Sequence, residues 1–119
     1  MSANRAAEDS AGESTYEIGI EEFAERLNEA TAVFDVRNNN EYLESHLPGS
    51  INVSYPTPTD RELQAIREAA GRGAVYFICN SGYRSFEMTK MLRDLQVEVI
   101  SVDGGLKAWV RSGRPLGDR

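Results

Sequence analysis

The sequence predicts an α/β domain: a central, mainly parallel five-stranded sheet with helices on both faces. Three observations carry this expectation. Short apolar runs suited to strands alternate along the chain with stripes spaced at i, i+3 and i+4 suited to helices. The most apolar run, Ala74–Ile78, holds no charged residue, as a strand buried on both faces requires. The 119 residues, 40% hydrophobic and 27% charged, fit one packed domain, and no internal repeat divides them.

Taken in order, residues 1–14 offer almost nothing to bury and are expected to form a disordered tail. They lack the apolar segment of a signal peptide. The domain is expected over residues 15–116, with a short tail at 117–119. Tyr16–Ile18 reads as a short extended piece. Ile20, Phe23, Ala24 and Leu27 mark an amphipathic helix. Ala32–Val36 reads as a buried strand. Asn38-Asn39-Asn40 breaks it and supplies a loop and helix cap ahead of a helical turn at Glu41–Glu44. Pro48-Gly49 punctuates, Ser50–Val53 reads as a strand, and Pro56 and Pro58 bracket a loop.

Thr59 or Asp60 caps the next helix, whose inner face carries Leu63, Ile66 and Ala70 and which Gly71 and Gly73 end. Beyond the Ala74–Ile78 strand, Met88, Met91, Leu92 and Leu95 form a further helical stripe, read as core packing. Glu98–Val102 is the last strand. Gly104-Gly105 turns into a short helix carrying Leu106, Trp109 and Val110, and Pro115 ends the order.

Composition excludes several functions. The net charge is −6, and no Lys/Arg cluster forms a basic face for nucleic acid or anionic lipid. No stretch approaches the length of a transmembrane helix. One cysteine, Cys79, and one histidine, His46, leave no internal disulfide, no dithiol cycle and no His/Cys-rich metal site. A small chain without paired cysteines is expected in the cytoplasm.

The chemistry concentrates in Cys79-Asn80-Ser81-Gly82-Tyr83-Arg84-Ser85, which comes after the most buried strand and opens a helix. In parallel sheets, ligands sit beyond the carboxyl ends of the strands. N–H groups at a helix start carry partial positive charge, and a loop wrapped round one point adds further donors. Gly82 gives the backbone freedom for such a wrap, and Arg84 adds a permanent cation. A cysteine facing that field is expected to be a stabilised thiolate, able to carry further negative charge on an added sulfur or an incoming oxyanion. Alone, a cysteine ending a strand would more simply be structural and inert.

Three segments together resemble the rhodanese-type sulfurtransferases. The Cys79–Ser85 loop is similar to that family's active-site loop. Asp35–Tyr42 followed by His46–Val53 is similar to its upstream signature, and Asp103–Leu106 with Trp109 to its C-terminal turn. The resemblance spans roughly residues 16–116 and implies a single rhodanese-like domain. It implies a thiosulfate sulfurtransferase-like reaction: Cys79 attacks the outer sulfur of a donor such as thiosulfate, a persulfide forms, and a thiol, cyanide or protein acceptor takes the sulfur. Neither metal nor organic cofactor is implied, and the chain is expected as a monomer or weak homodimer. With one cysteine, the persulfide has to be discharged onto another molecule.

Asn80, Ser81, Gly82, Tyr83, Arg84 and Ser85 are the expected substrate-binding residues, Arg84 meeting the donor anion. Asn80 is neutral where many such loops carry a cation, and Tyr83 is bulky and neutral, so doubly charged thiosulfate is expected to bind weakly. Asp35, Arg37, Glu41 and His46 are expected to support the site. Arg37 pairs with Glu41, Asp35 bonds loop amides, and His46 braces the Leu47-Pro48-Gly49 turn rather than acting as a base. A non-catalytic binding or regulatory module on the same fold is the main rival. An oxidation-sensing thiol is another. A phosphatase or arsenate reductase is less favoured, because those enzymes enclose their tetrahedral oxyanion in a loop one residue longer.

Overall fold

Val75–Ile78 is paired on both edges and buried throughout, which makes it the axis of the molecule. A computed structural model describes residues 16–117. The tail expected over residues 1–14 lies outside the described residues. In chain order the elements are β1 (Glu17–Ile18), α1 (Ile20–Arg26), β2 (Ala32–Asp35), α2 (Asn39–Glu44), β3 (Ile51–Asn52), α3 (Asp60–Ala70), β4 (Val75–Ile78), α4 (Tyr83–Asp94), β5 (Ile100–Val102) and α5 (Gly105–Arg111). The sheet runs β1-β5-β4-β2-β3, and every pairing is parallel. The five-stranded α/β domain expected from the sequence is the one observed.

The two-residue alternation of β4 divides the core. Val75 and Phe77 join Phe34 and Val53 beneath Ile66 and Ala69 of α3 and Met88 and Leu92 of α4. Tyr76 and Ile78 face the other way, with Val33 and Val102, against Phe23 of α1 and Leu106 and Trp109 of α5. There the Phe23 ring stands edge-on to Tyr76 at 5.2 Å and to Trp109 at 5.8 Å. No described helix is long and apolar enough to cross a membrane.

Helix starts obey local chemistry. Asn38 and Thr59 each form a reciprocal capping box, with Glu41 and Glu62. The outer edges of two helical stripes differ from the expectation. Leu95 and Val110 are exposed, at 43% and 51%. Leu95 sits at the C-cap of α4, past its last packed turn. Val110 is one position beyond the buried Trp109, about 100° round the helix.

Strands β2 and β3 are shorter than their apolar runs. Val36 and Val53 nevertheless stay tied, their N–H groups donating to Ile78 O and Asp35 O at 2.9 Å. Order continues past Pro115. Trp109 Nε1 donates to Pro115 O at 3.0 Å, Leu116 packs against the α1/α5 side, and Gly117 forms an antiparallel bridge with His46. Gly117, expected to start a tail, is thus held to the domain by backbone pairing with His46, which apolar patterning cannot reveal.

Candidate active site

β2, β4 and β5 all end on one edge of the sheet, and the site is built from the segments just beyond those ends. Cys79 comes directly after β4, and α4 begins with Gly82 as its N-cap at φ +105°. Glycine leaves the first turn of α4 without a capping side chain. The cysteine sulfur fills that role. Gly82 N–H donates to Cys79 Sγ at 3.1 Å, and Ser85 N–H, third in the helix, donates at 3.3 Å. Behind the sulfur, the Ser85 hydroxyl lies 3.5 Å from Sγ, 3.2 Å from Gly82 O and 2.8 Å from the hydroxyl of Ser101 in β5. Both serines are fully buried.

Two N–H donors converging on one sulfur make a small electropositive cradle, and the Ser85 hydroxyl, which donates to Gly82 O, closes it as an acceptor from Sγ. The cradle holds the sulfur closely, and Cys79 is only 1% exposed. The thiol is roofed by its own loop. Of the loop residues, Ser81 and Tyr83 are exposed, Asn80 and Arg84 are half-buried, and Gly82 and Ser85 are buried. α5 fixes the cradle from the other side. Leu106 N–H donates to Cys79 O at 2.8 Å and Lys107 N–H to Asn80 O at 2.9 Å. Gly105, at φ +58°, permits that approach, since a Cβ there would meet Cys79 O at 2.3 Å.

The supporting residues pair differently from the expectation. Arg37 does not pair with Glu41. It folds back on Asp35, its Nε 3.1 Å from Oδ1 and its Nη2 2.9 Å from Oδ2, while a second bond from Nη2 reaches Ser45 O at 2.7 Å. Two residues apart at the end of one strand, the pair closes a ring that Arg37 N–H completes by donating to Asp35 Oδ1 at 2.9 Å. Asp35 therefore braces its own strand end, and among the described residues the amide its carboxylate meets is that of Arg37.

Glu41 is left for Arg84, the loop's cation. Arg84 Nη1 and Nη2 reach its two carboxylate oxygens at 2.8 and 3.2 Å. The hydrogen bond from Arg84 lowers the Glu41 carboxyl below its ordinary range, and the same bond raises the Arg84 guanidinium. Arg84, expected to meet the donor anion, is thus already engaged by a carboxylate.

His46 is a brace. Its Nδ1 donates to Tyr42 O at 2.8 Å and its ring stacks on Tyr42 at 3.8 Å. Ser101 is the residue that sequence reasoning missed. Its signal is a lone polar residue inside the apolar run Val99–Val102.

Beside the cradle lies an open groove of about 580 Å³. Its lining takes Asn80 from the loop, Leu106, Lys107, Val110 and Arg111 from α5, and Arg37.

Comparison with known proteins agrees with this architecture. The family model described as Rhodanese-like domain matches residues 19–112. A Bacillus subtilis protein carrying the provisional name of a sulfur carrier protein, YrkF, is 28% identical over 96 residues, 78% of this chain and 50% of its own. Another from that organism, provisionally named a sulfurtransferase, YtwF, is 27% identical over 89 residues, 74% of this chain and 82% of its own. The chain thus spans half the length of YrkF. Among solved structures, that of the BH2092 protein from Bacillus halodurans superposes with a TM-score of 0.78 at 17% identity, covering 98% of this chain and 88% of that one. At that identity the likeness is one of fold.

Proposed function

The chain belongs to the rhodanese-like domain family, and from that premise we propose that Cys79 takes up a sulfane sulfur as a persulfide and passes it to a thiophilic acceptor. The observation that carries this reading is the pair of N–H groups, from Gly82 and Ser85, aimed at Cys79 Sγ. Donors so placed favour a nucleophilic, negatively charged sulfur, and they stay in place when the sulfur leaves and returns. The provisional names of YrkF and YtwF lie in the same chemistry.

The reaction proceeds in two displacements. The Cys79 thiolate attacks the outer sulfur of a donor, a Cys79 S–S bond forms, and the donor's remainder leaves with the bonding pair; thiosulfate would leave sulfite. An acceptor nucleophile then attacks the outer sulfur, and Cys79 departs as thiolate. Thiosulfate finds little help in this loop. Asn80 is neutral and Arg84 is occupied by Glu41. Loading from thiosulfate is therefore slow compared with loading from an organic persulfide.

The phosphatase reading fares poorly. Four residues separate Cys79 from Arg84, and the loop wraps the sulfur itself. One observation favours the rival binding module: with Cys79 1% exposed, a donor reaches Sγ only as the loop yields.

The test is the mass of the intact protein after exposure to thiosulfate or an organic persulfide, beside Cys79→Ser. The expected outcome is a gain of one sulfur atom, removed by cyanide and absent in the variant. No gain from either donor would exchange this reading for the binding module.

A further inference from the structure

Ser101 is a polar residue in an apolar place. It is fully buried in β5, opposite Phe77 of β4 in the sheet register, and Val99 stands two positions back on the same face. A hydroxyl at that depth costs free energy unless it is hydrogen-bonded. Among the described residues, the one hydrogen-bond partner of the Ser101 side chain is the Ser85 hydroxyl, at 2.8 Å. Ser85 Oγ in turn lies 3.5 Å from Cys79 Sγ. Helix α4 supplies a contrast. Thr89, four residues beyond Ser85, is equally buried, and its hydroxyl has no partner among the described residues.

The direction of the contact between the serines follows from a count of hydrogens. Each hydroxyl has one to donate. Ser85 spends its own on Gly82 O, a carbonyl that can only accept. The 2.8 Å contact is then filled by the Ser101 hydrogen, and Ser85 Oγ accepts it together with the thiol hydrogen of Cys79. When Cys79 ionises, its sulfur becomes an acceptor alone. The Ser85 hydrogen turns from Gly82 O to the sulfur, and Ser101 continues to donate to Ser85 Oγ. The thiol proton passes to solvent, and no bond between heavy atoms changes. Hydrogen bonds in such a chain polarise one another.

We propose that Ser101 is a positioning residue of the site: from β5 it holds the Ser85 hydroxyl as a third donor to the Cys79 thiolate, beside the N–H groups of Gly82 and Ser85. The proposal rests on the persulfide reading of Cys79 and adds to it a residue outside the loop. The charged groups near this end of the sheet are Asp35 and Arg37 at and just past the end of β2, Glu41 on α2, Arg84 on α4, Asp103 past β5 and Lys107 on α5. The Ser101 side chain bonds to none of them, so its loss leaves their charges as they are.

The test is the pH dependence of Cys79 alkylation by iodoacetamide, whose rate follows the thiolate fraction, in the whole chain and in Ser85→Ala, Ser101→Ala and the double variant. Ser101→Ala removes a single oxygen and is expected to fold, which urea unfolding reports. It is expected to move the midpoint up by about one pH unit. The double variant is expected to match Ser85→Ala, because Ser101 acts through Ser85. Thr89→Val, which removes the unpartnered hydroxyl from α4, is expected to leave the midpoint in place. Loading from an organic persulfide below the midpoint, followed by intact mass, is expected to slow about tenfold in Ser101→Ala. An unmoved midpoint in folded Ser101→Ala, or shifts that add in the double variant, would overturn the proposal. A shifted midpoint in a chain that never loads sulfur would uphold the role of Ser101 at the thiolate and sink the persulfide reading instead.

Discussion

The residue with the most misleading identity is His46. A lone histidine in a chain with a lone cysteine invites the role of a base. Its hydrogen bond to Tyr42 O, its stacking on Tyr42 and its backbone pairing with Gly117 describe a fastening of the segment between α2 and β3. His46→Ala is therefore expected to lose stability by about 1–3 kcal/mol through lost packing and an unmet carbonyl, and still to load sulfur on Cys79. Urea unfolding and intact mass measure the two effects. A folded variant devoid of loading would restore the base. The site was legible in part for a physical reason. Cys79, Gly82 and Ser85 act through the backbone of one continuous loop, so their spacing announces them. Arg84, Glu41 and Arg37 act across 43 residues or by folding back on a neighbour, and charge alone does not say which carboxylate a guanidinium meets. Ser101 reaches Ser85 from another strand and left only a polar residue among apolar ones as its trace.

At the scale of elements, α2 and α4 are stapled by Glu41 and Arg84. Glu41 is also the return arm of the Asn38 capping box, so one side chain both starts α2 and holds α4. Glu41→Gln keeps the capping geometry and removes the charge. Because the folded carboxyl is held below its ordinary value, the charge contribution is fully present above the unfolded-state value and is lost as pH falls through the folded-state one. The variant is expected to be slightly less stable than the parent at neutral pH, by under about 1 kcal/mol for so exposed a pair. The difference should shrink as the solution is acidified below the ordinary carboxylate range. Denaturant titrations of both proteins across that range measure it, and a gap that widens with acid would contradict the pairing. Element identities were readable because period and caps are local. Boundaries such as those of β3 were not, since a strand at the sheet edge ends where its partner does.

At the scale of the whole molecule, three parallel strands ending together, with α5 locked to the loop through Gly105, make the cradle part of the global fold rather than an appendage. Reagents of different size are expected to sense this. Iodoacetamide should reach Cys79 through small movements of the loop, whereas a bulky aromatic disulfide should react only as fast as the domain unfolds. Parallel rates in native protein and in rising urea test it, and rapid reaction of both reagents in the native state would mean that the sulfur is more open than its 1% exposure.

The same enclosure bears on the fate of the chain under oxidising stress. Two cysteines join only when their Cα atoms come within roughly 7 Å, and a sulfur roofed by its own loop does not bring a second copy that close. Direct disulfide pairing of two native copies is therefore expected to lag behind that of unfolded chains, without any guarding residue on the surface. Cross-linked pairs on a non-reducing gel are expected to accumulate faster as the fold is lost.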